Sequence, residues 1–318
     1  LQELKSPIMQ NSSDPHPAFF TLGYGQLTSI RYFYCLLVSV GFLLNVVPNS
    51  LIIVAVIIHK TLHEPVYIFI SALCLNGILE SVYFYPGIFA ALFYKVQTIS
   101  YSFCLLQAFL VHLYGCFEMT TLTAMAFDRY VCICNPLRYN NIMLLSNVYK
   151  ILAGSWTYSI VAFGTHVLLT YRLPLCGSEI LKIYCDNWSI VRLSCIDTTI
   201  NNIYGLFIVS TFVCLLLMLI MYSYIEILRV FCAKSSKDFQ AKALQTCAPH
   251  LLAIATYLVD VLFEIFLYRY SPTSLPPALR VFMSIHFLVV PPLLNPLIYG
   301  LKIRELRVKI NKLLQKQS

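Results

Sequence analysis

The residues of this chain that could do chemistry lie within or at the ends of long apolar runs. Asp128, Arg129 and Tyr130 follow one another at the close of one run: an acid, a base and a phenol that can pair, separate and pair again. Pro136 ends that stretch, because its ring fixes φ and it has no N–H to donate. Glu118 lies ten residues before Asp128 inside the same run, where an isolated carboxylate is costly. It must be protonated, ion-bound or hydrogen-bonded across helices. Glu80 is a second carboxyl group within an apolar run, and such groups mark functional positions by default. With Asn76 it reads either as a structural hydrogen-bond pair or as part of a switch. Asp260 and Glu264, four apart, share one helix face. Carboxylates so close repel, so the pair holds one proton and favours a cationic or hydrogen-bond-donating ligand. The other reading pairs these acids with Arg269, His286 or Arg280 at the rim. No activated nucleophile and no cluster of metal ligands stands out, so neither an enzyme, a metal site nor a cofactor is expected.

The elements that must position these groups are membrane helices. The 318 residues are 59% hydrophobic and 11% charged, with mean hydropathy +0.75, whereas soluble domains carry about a quarter charged residues. A spanning helix needs ~20 mostly apolar residues, and seven runs qualify: Tyr32–Ile58, Val66–Phe93, Cys104–Val131, Tyr149–Tyr171, Thr198–Ile225, Ala243–Tyr268 and Val281–Leu301. The fold class is therefore all-α, one seven-helix bundle over residues 1–318, with an outer tail at 1–28. At the other end Ile303, Leu306, Ile310, Leu313 and Leu314 fall on one face among basic residues, predicting a short amphipathic helix over 303–318 along the membrane. With the N-terminus outside, 14 of the 22 Lys and Arg face inward (Lys60, Arg129, Arg138, Lys150, Arg229 and on to Lys316) and 8 outward. That bias supports the orientation. The +8 net charge then reads as attraction to anionic inner-leaflet lipid, not to nucleic acid. The first span serves as targeting signal, since no cleavable leader pattern precedes it. Two glycosylation triplets, at Asn11 and Asn187, both fall on the outer side. Of 12 cysteines, Cys104, Cys176, Cys185 and Cys195 lie on that oxidising side, and four cysteines allow three pairings.

The stretch Met125–Tyr139 reads MAFDRYVCICNPLRY and resembles the MAYDRYVAICNPLRY signature of odorant receptors, a branch of the rhodopsin-like (class A) G-protein-coupled receptors. Thirteen of fifteen positions agree, with Phe127 and Cys132 differing. The resemblance continues in order along the chain. Leu62-His63-Glu64-Pro65-Val66-Tyr67 is similar to LHxPMY, and Met221-Tyr222-Ser223-Tyr224-Ile225 to the family's SY motif. Lys242 to Leu251 is similar to KAxxTCxxHL, and Pro291 to Tyr299 to PMLNPLIY. The resemblance implies a receptor at the plasma membrane, in sensory cilia, with an extracellular N-terminus. A small odorant would bind in the outer half of the bundle, and a heterotrimeric stimulatory G protein would be activated to raise cAMP. For coupling it implies Asp128, Arg129, Tyr130, Leu137, Tyr224, Asn295, Pro296 and Tyr299. Arg129 would leave Asp128, Leu137 would pack into the G protein, and Tyr224 and Tyr299 would steady the open state. For the ligand pocket it points to His112, Gly115, Cys116 and Tyr257 beside Asp260 and Glu264, with His112 read equally as a structural hydrogen-bonder. A polar network of Asn49, Glu80, Glu118 and Asn295 is implied, with Asn295 binding backbone freed by Pro296. Gly77 stands where the family has an aspartate, which leaves open whether an ion binds near Glu118. The implied disulfides are Cys104–Cys185 and Cys176–Cys195. Span seven has no lysine, which excludes a retinal Schiff base. Two rival classes remain. A non-olfactory receptor would share the motifs, whereas a transporter or channel would be expected to show internal repeats or matched broken helices, and neither is seen.

Overall fold

The computed structural model describes residues 16–24, 31–94, 97–234, 237–262 and 276–316. Asn11, Glu264 and Arg269 lie outside them, as does the side chain of Arg280. The described residues are mostly helical, in the order α1 (Arg31–Ile58), α2 (Pro65–Tyr94), α3 (Tyr101–Cys134), α4 (Tyr139–Ile142), α5 (Leu145–Tyr171), α6 (Asn187–Val191), α7 (Thr199–Ala233), α8 (Lys237–Leu262), α9 (Pro277–Lys302) and α10 (Arg304–Lys316). Seven of these have 26 to 35 residues, more than the hydrocarbon thickness requires. Helices α1, α2, α3, α5 and α7 are long and apolar enough to cross a membrane, and α9 with the bent α10 makes a sixth such unit. The remaining helix, α8, is polar in its inner half, and the apolar run predicted to reach Tyr268 continues past the last described residue, Leu262.

Burial separates the helices by role. Half of α3 is buried, from Cys104 to Val131, because it packs against α2, α5, α7 and α8 at once. In α1 only Cys35, Asn45, Asn49, Ile52, Ala55 and Val56 are buried. Its leucines at 36, 37, 43 and 44 are exposed, as suits a helix with lipid on its outer side. Pro65 opens α2 at the first-turn position, where a missing N–H costs little. Helix α3 stops at Cys134, and Pro136 starts a 3-10 turn through Arg138. Helices α3 and α7 extend beyond the predicted spans, α3 starting at Tyr101 and α7 running inward to Ala233. The continuation of α7 carries an Arg229–Glu226 ion pair one turn apart. After a 94° bend, α10 buries Leu306, with Ile303, Ile310 and Leu313 against the main core. Tyr67 of α2 donates to Glu305 at 3.1 Å and anchors it.

The fold is all-α as expected, with a small sheet added to the helices. This sheet covers part of the bundle end that carries residues 16–24, called the outer end: β1 (Phe19–Leu22) lies between β2 (Thr98–Ser100), antiparallel to it, and β3 (Glu179–Ile180), parallel. Within the predicted tail, Phe19–Leu22 is thus a strand. Phe20 and Leu22 point inward, while Phe19 and Thr21 are exposed, the two-residue period of a strand. Gly23 follows because a Cβ there would lie 2.5 Å from the Leu181 carbonyl oxygen.

Candidate ligand cavity and inner coupling site

An outer cavity of about 190 Å³ lies between α3, α5, α7, α8 and α9. His112, Gly115 and Cys116 of α3 and Tyr257 of α8 line it, together with apolar side chains such as Val111, Phe163, Phe212 and Phe287. Tyr257 donates its hydroxyl to the Gly115 carbonyl at 2.5 Å, and a Cβ at Gly115 would stand 3.1 Å from that hydroxyl. A larger residue at 115 would push the Tyr257 hydroxyl away from this contact at the cavity floor. His112 bonds through Nδ1 to the Ala108 carbonyl at 2.6 Å and stacks on Phe163, while still facing the cavity.

The roof comes from the segment between α5 and α7. Cys104 at the top of α3 is disulfide-bonded to Cys185, with Cα atoms 5.3 Å apart, and Cys176 to Cys195 at 5.1 Å. The Cys185 N–H also donates to Gln107 at 2.7 Å. Pinned there, Cys185 carries Tyr184 and Asp186 over the cavity. Asp186 pairs with the buried Lys182 at 3.1 Å and accepts the Ser189 N–H at 3.1 Å, capping α6. Burial opposes its charge, but the Lys182 ammonium and these hydrogen bonds prevail and hold its carboxyl below the usual range. Asp186 was not singled out in the sequence, although its place beside Cys185 was the available signal.

Of the two acids expected to meet ligand, Glu264 lies outside the described residues and Asp260 lies away from the cavity. Asp260 is buried but does not line the cavity, since its neighbours Tyr257 and Val261 take that face. It accepts instead from His286 of α9 at 2.6 Å, the rim pairing that was the other reading. Asn187, the second glycosylation triplet, is also corrected: it is 1% exposed and its amide meets His166 Nε2 at 2.9 Å. A buried, engaged amide nitrogen leaves no room for a glycan.

The polar network in the bundle centre differs from the expected one. Glu118 accepts from Asn295 at 2.6 Å and from Asn76 at 3.0 Å, tying α3 to α9 and α2. Asn49 and Glu80 are not part of it. Pro296 has no N–H for the carbonyl of Pro292 one turn earlier, and it is Asn49 that donates there, at 3.0 Å, with Asn45 behind it at 2.7 Å. Asn295, predicted for that task, is spent on Glu118. Glu80 accepts only from its neighbour Ser81, at 3.4 Å. A Cβ at Gly77 would sit 3.0 Å from Pro292 Cβ, so α9 fills the space that the family's aspartate would need.

At the inner end, Asp128 is fully buried and accepts from Arg129 and, at 2.8 Å, from the Tyr139 hydroxyl. Burial, then the Asp128 charge, push the Tyr139 phenol well above its ordinary range, so it remains a donor. Tyr130 leans on Tyr222 with ring centres 5.7 Å apart. Leu137 stands 97% exposed at the tip of the inner loop. Tyr224 of α7 meets His250 Nδ1 of α8 at 2.6 Å, and His250 Nε2 meets the Leu122 carbonyl of α3 at 2.9 Å. A carbonyl can only accept, so Nε2 donates and the neutral ring takes the Tyr224 proton at Nδ1. His250 was visible in its motif but had no role assigned. The Tyr299 hydroxyl is buried with no hydrogen-bond partner among the described residues.

A family model described as "Olfactory receptor" matches residues 35–317. Among relatives, human olfactory receptor 51I2 is 35% identical over 92% of this chain and 94% of its own. Human olfactory receptor 52D1 is 33% identical over 96% of both chains. Human olfactory receptor 51E1 is 34% identical over 93% of this chain and 92% of its own. Membrane helices in this order, a cavity beneath a disulfide-pinned roof and a match along nearly the whole chain lead to one assignment: the protein is a multi-pass membrane receptor, not an enzyme, and belongs to the olfactory receptor family.

Proposed function

We propose that a small odorant binds in the outer cavity and shifts a two-state bundle toward a form that activates a stimulatory G protein, raising cAMP. The observation that carries this reading is the roofed, mainly apolar cavity with a few polar residues in its lining, His112 and Asp186 among them, the pattern of small-molecule sites. In the arrangement seen, Arg129 is held by Asp128 and Tyr224 by His250, which fits the resting form. Ligand favours the form in which Arg129 leaves Asp128 and reaches the G protein while the exposed Leu137 packs against it. The N-terminus lies outside, as the inward excess of Lys and Arg supports, and the plasma membrane of sensory cilia is the site of action. The test is a cAMP reporter in cells supplied with the stimulatory olfactory G protein, run with an odorant panel. Concentration-dependent cAMP that vanishes when the cavity is filled by Gly115→Phe at equal surface level is expected. Retained response in that variant would place the ligand elsewhere.

A further inference from the structure

A second cavity of about 210 Å³ lies between α2, α3 and α5, lined by none of the side chains that line the outer one. Leu79, Tyr83, Leu113 and Phe117 give it an apolar wall. Leu79 is 49% exposed on the lipid-facing side of α2, beside the exposed Val82, so the mouth opens on hydrocarbon and not on water. Glu80 and Tyr114 are among the polar residues that line this space, with Asn76 and Ser159. Each is buried, and Glu80 Oε1 and the Tyr114 hydroxyl have no hydrogen-bond partner among the described residues. Buried polar groups are nearly always paired, because leaving one unmet costs about 1–3 kcal/mol. The outer site, the Glu118 ties and the inner ion pair use neither atom. A carboxyl group keeps an acceptor oxygen whether or not it is ionised, so what is missing is a donor delivered from the bilayer.

We infer that this cavity is a second binding site, reached from the membrane, for an apolar molecule with a single hydrogen-bond-donating head, as in an aliphatic alcohol. The head meets Glu80 and the Tyr114 hydroxyl, and the hydrocarbon lies along Leu79, Leu113 and Phe117. A membrane lipid alcohol and a volatile alcohol dissolved in the bilayer share this chemistry, and chain length separates them.

The test uses the full chain in lipid nanodiscs and reads labelled peptides, independently of G-protein signalling. Photoreactive octanol, photoreactive hexadecanol and a photoreactive alkane without the hydroxyl are applied in parallel. One or both alcohols are expected to label the α2 and α3 peptides containing Leu79 or Leu113 several-fold above the alkane. The chain length that labels names the source. Glu80→Leu is expected to reduce labelling to the alkane level, and Glu80→Gln, which keeps an acceptor oxygen, to retain most of it. Should Glu80→Leu fail to fold, Leu110→Trp, which fills the cavity from its lining, must abolish labelling instead. Alcohol labelling no greater than alkane labelling, as expected if only water enters, overturns the inference. So does labelling that neither Glu80→Leu nor Leu110→Trp changes.

Discussion

The N–H that Pro296 lacks draws a partner for α9 from α1. Pro296 leaves the Pro292 carbonyl unmet, and Asn49, 243 residues away, meets it. That an asparagine would serve the freed carbonyl was legible, because a proline inside a helix removes one bond at a known offset. Which asparagine was not legible. The choice between Asn49 and Asn295 depends on how α1, α3 and α9 are rotated about their axes, and an apolar run leaves that rotation loose. The assignment can be checked by a double-mutant cycle. Asn49→Ala should cost about 1–3 kcal/mol by stranding a buried carbonyl, seen as a lower thermal midpoint in detergent. Adding Pro296→Ala restores an N–H one turn after Pro292 and should recover most of that loss. If the two losses simply add, Asn49 stabilises α1 by some other contact. At the inner end the motif itself was readable, and Arg129 is held by Asp128 as its side-by-side placement implied. Arg129→Ala should abolish ligand-evoked cAMP while cavity binding persists. An undiminished response at equal surface level would remove Arg129 from coupling.

At the scale of elements, hydropathy marked the spans well because lipid imposes length and composition on a helix. The roof was much less readable. Strands of two to four residues pair β1 with partners near 98 and 179, and nothing local in so short a segment announces a partner that distant. The cysteines carried the best signal, since pairing Cys104 with Cys185 decides that Asp186 faces the cavity. Cys185→Ser should free the roof and lower surface delivery, the loss of a native disulfide costing about 2–5 kcal/mol in small secreted domains. Mass mapping of non-reduced protein that finds Cys104 unpaired, or paired with Cys176, would contradict the roof as described. The Lys182–Asp186 pair adds a pH dependence of known sign. Its carboxyl is held below the ordinary value near ~3.9, so its stabilisation is complete above that value and fades as pH falls through the lower, folded one. Protection of the Ser189 amide, which donates to Asp186, should therefore stay flat from pH 8 to 5 and fall only below about 4. A midpoint near pH 6 would mean that a histidine, not this pair, holds the roof.

For the molecule as a whole, outer ligand and inner coupling are joined only if the bundle has two arrangements that both ends bias. The described arrangement contains a three-helix tie suited to one of them. His250 of α8 holds Tyr224 of α7 on one side and the Leu122 carbonyl of α3 on the other. Tyr224 cannot steady an open form while it is engaged there, and the buried Tyr299 hydroxyl waits without a partner among the described residues. His250→Phe keeps a ring of similar breadth and removes both bonds. The Leu122 carbonyl remains served by its own helix, and the Tyr224 hydroxyl is left free to leave this position. With each bond worth about 0.5–1.5 kcal/mol net, the resting form should lose about 2 kcal/mol, which shifts a two-state balance roughly 30-fold. Basal cAMP without odorant should then rise, and odorant potency should rise with it, because ligand has less to overcome. Both are measured against surface level in the same reporter cells. If basal cAMP stays at the wild-type level while odorant still evokes a full response, the tie belongs equally to both arrangements and the switch lies elsewhere. Tyr224→Phe separates the roles further: it breaks the same resting bond but also removes the hydroxyl needed in the open form, so its basal rise should come with a lower maximal response.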